Sequence, residues 1–236
     1  MTADRIVVLP SGDSAVRVVA THPDREAGWR LVHRLAAELD RSGAPGVIGS
    51  IPTYDALLVE VDPVRADLPR LESLFATLAA EIDVDQPLSE HPREFDVPVL
   101  YDVTETPDLQ AVADIQGLGV ADVVRLHSEP RYVVRCLGAP GGSPMLDGPA
   151  FPKPVPRRAS PRTSVPQGMV SVAGRQATIT PAVAPGGWPL IGRTPLTVLD
   201  LTAEPLVPYA PGDVIVFHPI DRAEFDRLHG RRMAAR

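Results

Sequence analysis

The sequence predicts an α+β fold followed by a mainly β one. The first hundred residues alternate short apolar runs with longer amphipathic stretches. Beyond them proline accumulates: 16 of the 27 prolines fall between Pro140 and Pro219, so long helices there are excluded. A length of 236 residues accommodates one large or two small domains with a real core.

Ala15 to Ala20 is β-rich. Asp24 to Asp40, entered through Thr21 and Pro23, places Leu31, Leu35 and Leu39 on one helical face. Val47 to Ile51 and Ala56 to Val61 read as strands joined by the turn at Pro52-Thr53-Tyr54-Asp55. Leu68 to Ile82, with Asp67 as cap and Pro69 in its first turn, turns Leu71, Leu74, Phe75, Leu78 and Ile82 inward. With Glu94 to Leu100 as a last strand the order is βαββαβ, a ferredoxin-like split βαβ domain over residues 1–100. Thr106 and Pro107 open one short helix that Gly117 ends, and Val120 to His127 forms another, so residues 101–130 read as a helical connector.

Residues 131–236 then carry short β-compatible runs at Tyr132–Leu137, Met169–Ala173, Ala177–Thr180, Leu196–Leu199 and Val214–His218, a pattern for a β-barrel or sandwich with long ordered loops. Asp221 to Leu228 predicts a terminal helix, with Arg231 to Arg236 frayed beyond it.

Composition narrows the function. No apolar run approaches a membrane span and the N-terminus lacks a signal-peptide pattern, so a cytoplasmic protein is expected. A net charge of −7 argues against a general nucleic-acid binder. Cys136, alone, cannot form an internal disulfide, and His22, His33, His91, His218 and His229 lack metal-ligand spacing, so no metal is expected.

Charge is nevertheless segregated. Between Gly148 and Leu199 there is no Asp or Glu, yet Lys153, Arg157, Arg158, Arg162, Arg175 and Arg193 lie there. Cations lining a concave site would attract an anion, and guanidinium matches carboxylate or phosphate bidentately. The alternative is a solvated loop whose arginines pair with acids elsewhere; Asp102, Glu105 and Asp108 read as a solvated linker face. The glycine clusters at Gly138–Gly142, Val172–Gly174 and Pro185–Trp188 suit rigid loops but match no nucleotide-binding spacing. Trp188 is either a stacking platform or a core anchor.

Three blocks, Arg157-Arg158-Ala159-Ser160-Pro161-Arg162-Thr163-Ser164-Val165-Pro166, Val172-Ala173-Gly174-Arg175-Gln176 and Pro185-Gly186-Gly187-Trp188-Pro189-Leu190-Ile191-Gly192-Arg193-Thr194-Pro195-Leu196, closely resemble the signature of the PxpB/KipI family. That family is also called allophanate hydrolase subunit 1, or the carboxyltransferase C and D domain family. The resemblance runs from Gly12-Asp13-Ser14-Ala15 through Leu126-His127-Ser128 to Pro211-Gly212-Asp213-Val214. It implies a ferredoxin-like domain followed by a cyclophilin-like β-barrel. It further implies the B-type component of an ATP-dependent 5-oxoprolinase that opens 5-oxoproline to glutamate. A homologous C-type partner (subunit 2 type) and an ATP-using A-type component would join it, ATP serving the complex rather than binding this chain alone.

The same resemblance leaves two other roles: a KipI-like binding module that inhibits a sensor histidine kinase, or the first subunit of a urea carboxylase or allophanate hydrolase. It marks His127, Arg162 and Gln176 as candidate catalytic residues and Arg157, Thr163, Gly186, Gly187, Trp188, Arg193 and Thr194 as binders of a small carboxylate substrate. For His127 proton transfer near pH 7 competes with a helix-end role, and for the arginines and Gln176 a structural network competes with ligand binding. The chain departs from the family where a GFxPGFPYLGGLP loop is usual: Leu137 to Pro149 lacks both phenylalanines and the tyrosine.

Overall fold

The computed structural model describes residues 5–138 and 141–236. The chain forms two compact units, Met1–Glu90 and His91–Arg236.

In the first unit β1 (Ile6–Pro10), β2 (Ala15–Ala20), β3 (Val47–Pro52) and β4 (Ala56–Val61) make an antiparallel sheet of order β1-β2-β4-β3. Helix α1 (Arg25–Ser42) starts where the Asp24 carboxylate accepts the Glu26 N–H, and stops at Gly43, whose φ of 58° is left-handed. Leu31, Leu35 and Leu39 are buried as their spacing predicts. Helix α2 (Leu68–Glu81) is capped by Asp67 and buries Leu71 and Phe75, while Leu74, Leu78 and Ile82 pack at its margin.

The strand expected to complete this sheet, Glu94 to Leu100, does not join it. Its place beside β2 is taken by β1, an apolar run that precedes the first predicted strand. Instead β5 (Glu94–Val99) pairs in parallel with β13 (Val214–Pro219) in the second unit, Glu94 opposite Val214 and Val99 opposite Pro219. The alternating burial of β5 announces a strand with one covered face, but it carries no mark of a partner so distant in sequence.

The second unit also contains α3 (Leu109–Gln116), α4 (Val120–Ser128), β6 (Arg131–Gly138), β7 (Ser143–Asp147), β8 (Arg162–Val165), β9 (Met169–Ala173), β10 (Gln176–Ile179), β11 (Ala184–Gly186), β12 (Leu190–Arg193) and α5 (Arg222–Leu228). Seven strands form one sheet in the order β12-β9-β10-β7-β6-β13-β5. The chain leaving β5 meets β12 at Leu100 and Arg193, which exchange two backbone hydrogen bonds of 2.8 and 3.0 Å. The sheet thereby curls back toward its own edge, as in a barrel. Gly192 permits that approach, because a Cβ there would sit 3.2 Å from the Tyr101 ring and closer still to Val99. Phe95, Val134, Leu146, Ile179, Ile215 and Phe217 fill the interior, and α3 contributes Leu109 and Val112 to the same core.

Two expectations for this unit change. Leu196 to Leu199 forms no strand; only Thr197 makes a bridge, to Arg232. Nor is the terminal stretch frayed: Met233 is 1% exposed, the Arg236 N–H donates to the Glu94 carbonyl at 2.9 Å, and the Arg236 guanidinium pairs with Glu94 and Asp96. A run of arginines reads as solvated, but one methionine among them has a core pocket to fill.

Candidate anion site

The acid that the arginine-rich segment lacks is supplied by the start of α3. Asp108 occupies the N-cap position of that helix, yet its carboxylate makes no capping bond. One oxygen, Oδ1, accepts from Arg158 Nη1 and Arg162 Nη2, each at 2.9 Å, while Oδ2 accepts the Leu190 N–H at 2.8 Å. Asp108 is only 6% exposed. Burial alone would raise its carboxyl, but the Arg162 and Leu190 hydrogen bonds and both guanidinium charges prevail and hold it below the ordinary carboxylate range. The reading of Asp108 as part of a solvated linker face is therefore corrected. Its arginine partners lie some fifty residues further along the chain, which no local pattern around Asp108 announces.

Around this carboxylate the structure gathers several predicted residues. Strand β8 pairs with β11 in a separate two-stranded sheet, with Arg162 opposite Gly186. The Arg158 N–H donates to the Gly187 carbonyl at 2.8 Å. The Arg157 guanidinium lies over Gly187, 3.7 Å from where a Cβ would stand. Thr163 is exposed on β8, and Trp188 is half-buried directly after Gly187. Two guanidinium groups thus share one carboxylate, leaving one positive charge uncompensated within the cluster. Arg162 Nη1 is buried and has no acceptor. An orphaned, charged donor beside the more open Arg158 is an arrangement that an anion completes.

The remaining predicted residues lie elsewhere. Arg193 ends β12 with its guanidinium carbon 5.5 Å from the Phe225 ring centre and its Nε buried without an acceptor. Thr194 is buried; its Oγ1 accepts the Leu196 N–H at 3.3 Å. Gln176 begins β10, opposite Ala173 and Asp147. Because Arg193 pairs with Met169 and Gln176 with Ala173, the length of β9, roughly 13 Å, separates them. The other cations of the segment are tied to carbonyls, Lys153 to Ile115 and Arg175 to Phe151. Of the departing loop, Ala139 and Pro140 lie outside the described residues.

His127, on α4, is packed against Tyr101, Tyr132 and Phe217. It is completely buried, its Nδ1 is 2.7 Å from the Tyr101 hydroxyl, and its ring stacks 4.6 Å from Phe217. Burial pushes its pKa down to about 3, so the imidazole is neutral and makes no cationic bond to the helix end. The unfolded chain takes up a proton near pH 6.5 whereas the folded chain does not until about pH 3. The stabilising effect is complete above pH 6.5 and is lost as the pH falls, at a slope of up to about 1.4 kcal/mol per pH unit. Urea unfolding between pH 7 and 4 is expected to show this slope in the parent and to lose about one proton's worth in His127→Phe; equal slopes would contradict it.

Among the described residues, no cluster of three or more His, Cys, Asp or Glu could hold a metal, and no helix is long and apolar enough to cross a membrane. Cys136 is buried, and that burial raises its thiol to about 11, which disfavours the reactive thiolate.

A curled seven-stranded sheet thus carries an arginine-rich segment two of whose guanidinium groups converge on one buried aspartate. The family model for the carboxyltransferase domain, subdomain C and D, matches residues 6–209, and the chain belongs to that family. It is 34% identical over 224 residues to the B subunit of 5-oxoprolinase from Bacillus subtilis, covering 91% of this chain and 92% of that protein. To the 5-oxoprolinase B subunit of Escherichia coli O157:H7 it is 34% identical over 209 residues, covering 88% and 93%. A conserved uncharacterised protein of Pyrococcus horikoshii is 34% identical with a TM-score of 0.53, over 93% of this chain and all of that one. The urea carboxylase of Kluyveromyces lactis shares the fold at 19% identity and a TM-score of 0.78, over 98% of this chain but 24% of that chain.

Proposed function

We propose that this chain is the B-type component of an ATP-dependent 5-oxoprolinase, and that with a homologous C-type partner it helps convert 5-oxoproline to glutamate. The observation that carries this reading is 34% identity, over about nine-tenths of the chain, to proteins named as the B subunit of 5-oxoprolinase, joined by the arginine pair on Asp108. 5-Oxoproline is a cyclic amide bearing one carboxylate. Arg162 is suited to take that carboxylate, since guanidinium forks fit carboxylate oxygens, and Arg157 over Gly187 would add a second cation. Thr163 and the Gly186–Gly187 backbone would border the ring, and Trp188 would cover it. Held by its carboxylate, the lactam is presented in one orientation, which reduces the entropic part of the barrier.

Opening an unactivated lactam needs more than orientation. ATP supplies that when bound by the complex, by phosphorylating the amide oxygen; the glycine loops here lack phosphate-loop spacing, which favours ATP binding on another component. Gln176, Arg193, Thr194 and His127 are assigned to shaping and packing the barrel: Thr194 and His127 are buried, Arg193 lies over the Phe225 ring, and Gln176 opens β10. The fold is read more finely as ferredoxin-like, with β1 filling the open edge, followed by a cyclophilin-like barrel. A cytoplasmic location accords with an ATP-using complex.

Co-purification tests the assignment. Tagged chain drawn from its native lysate is expected to bring down a homologous carboxyltransferase protein in equal amount, together with the ATP-using component. Recovery of a sensor histidine kinase instead would favour the kinase-inhibitor reading, which the missing aromatic residues of the Leu137 to Pro149 loop motivate. Recovery of the chain alone would contradict membership of a complex.

A further inference from the structure

We infer that Asp108 is a positioning residue for ligand binding: by holding Arg162 Nη2 and Arg158 Nη1 on one oxygen, it aims the free Nη1 of Arg162 at the substrate's carboxylate. The inference rests on the reading of the arginine cluster as the substrate's anion site.

A guanidinium on a flexible stem has several rotamers, and the neighbouring cations of Arg158 and Arg162 repel one another. A fixed anion is therefore needed to keep them converged. Asp108 meets that need from a buried position bonded twice to Leu190. Its Oδ2 is anchored by the Leu190 N–H at 2.8 Å, and its own N–H donates to the Leu190 carbonyl at 3.2 Å. The carboxylate is thus registered to the first residue of β12, so the barrel wall dictates where Arg162 sits. Because Arg162 spends Nη2 on Asp108 and leaves Nη1 buried without an acceptor, the guanidinium is half-satisfied. Arg158, more open at 38% side-chain exposure, shares the same oxygen and keeps the total charge of the cluster positive. Were Asp108 merely a structural partner, its loss would loosen the fold; as a positioning residue, its loss weakens ligand capture while the fold persists.

Asp108→Asn separates these outcomes, since the amide oxygen can still accept the Leu190 N–H but offers no charge to the arginines. In the assembled complex, KM for 5-oxoproline is expected to rise by about tenfold or more with kcat within about twofold. Adding Asp108→Asn to Arg162→Ala should raise KM no further, because the residue that Asp108 positions is already gone. A fall in kcat with KM unchanged, or additive KM effects, would overturn the inference while leaving the enzyme assignment standing.

Should the parent complex not turn over 5-oxoproline, the assignment fails on its own and a second measurement decides about Asp108. Nitrogen-15 spectra of the arginine side chains in the full chain, titrated with acetate as a plain carboxylate, should show the Arg162 signal moving in the parent. In Asp108→Asn that movement should need about tenfold more acetate. Equal titration in both proteins, or no movement in either, would contradict a positioning role.

Discussion

Arg162→Ala is expected to lower kcat/KM for 5-oxoproline in the assembled complex by roughly 30- to 150-fold, corresponding to about 2–3 kcal/mol for a lost charge-assisted hydrogen bond. The change removes the donor that the structure leaves buried and unpartnered. It leaves Asp108 still paired with Arg158 and bonded to Leu190, so the fold should survive. Arg162→Lys is expected to recover little, because a single ammonium cannot reach Asp108 and a ligand oxygen together as a planar fork does. Steady-state kinetics with each variant check this. An effect below about threefold would place the substrate elsewhere on the chain.

The largest expected stability effect is at Gly148, where the acid-free segment begins. Its N–H donates to the Arg175 carbonyl at 2.5 Å, and a Cβ at this residue would stand 2.6 Å from the Gln176 nitrogen and closer still to Arg175 backbone. Backbone cannot swing aside as a side chain can, so Gly148→Ala forces the β9–β10 turn away from the strand leaving β7. An expected loss of about 3 kcal/mol follows, at the upper end of overpacking costs. For a domain of this size it corresponds to roughly 6–12 °C in melting temperature. Gly174→Ala is the contrasting case. Nothing lies within 4 Å of its Cβ and only the positive φ of 59° opposes it, so about 1 kcal/mol is expected. Thermal melts of the two variants check the ranking, and equal melting temperatures would contradict it.

Much of the architecture is legible in local pattern. Leu31, Leu35 and Leu39 recur at helical spacing, and Asp24 and Gly43 bound their helix with side-chain and left-handed caps. The proline-rich half excludes long helices, and its strands at Met169–Ala173 and Val214–Pro219 fall where short β-branched runs stand. What escapes local pattern is partnership. Strand β5 alternates like any half-buried strand, and nothing in Glu94–Val99 distinguishes a neighbour in β2 from one in β13. The same limit hid the site's anchor. An absence of acids between Gly148 and Leu199 signals charge waiting for a counter-ion, and part of that counter-ion is Asp108, some fifty positions upstream of Arg158 and Arg162. His127 shows the reverse case: a helix-end position leaves proton transfer and a dipole contact both open, whereas the tertiary fold seals it between Tyr101, Tyr132 and Phe217.

The direct test of the account is ATP hydrolysis by the reconstituted complex, assayed with and without 5-oxoproline and with and without this chain. The expected result is ADP and glutamate formed together only when 5-oxoproline and this chain are both present, and turnover falling sharply when the chain carries Arg162→Ala. Glutamate formation that proceeds undiminished without the chain, or no 5-oxoproline-dependent turnover in its presence, would contradict it.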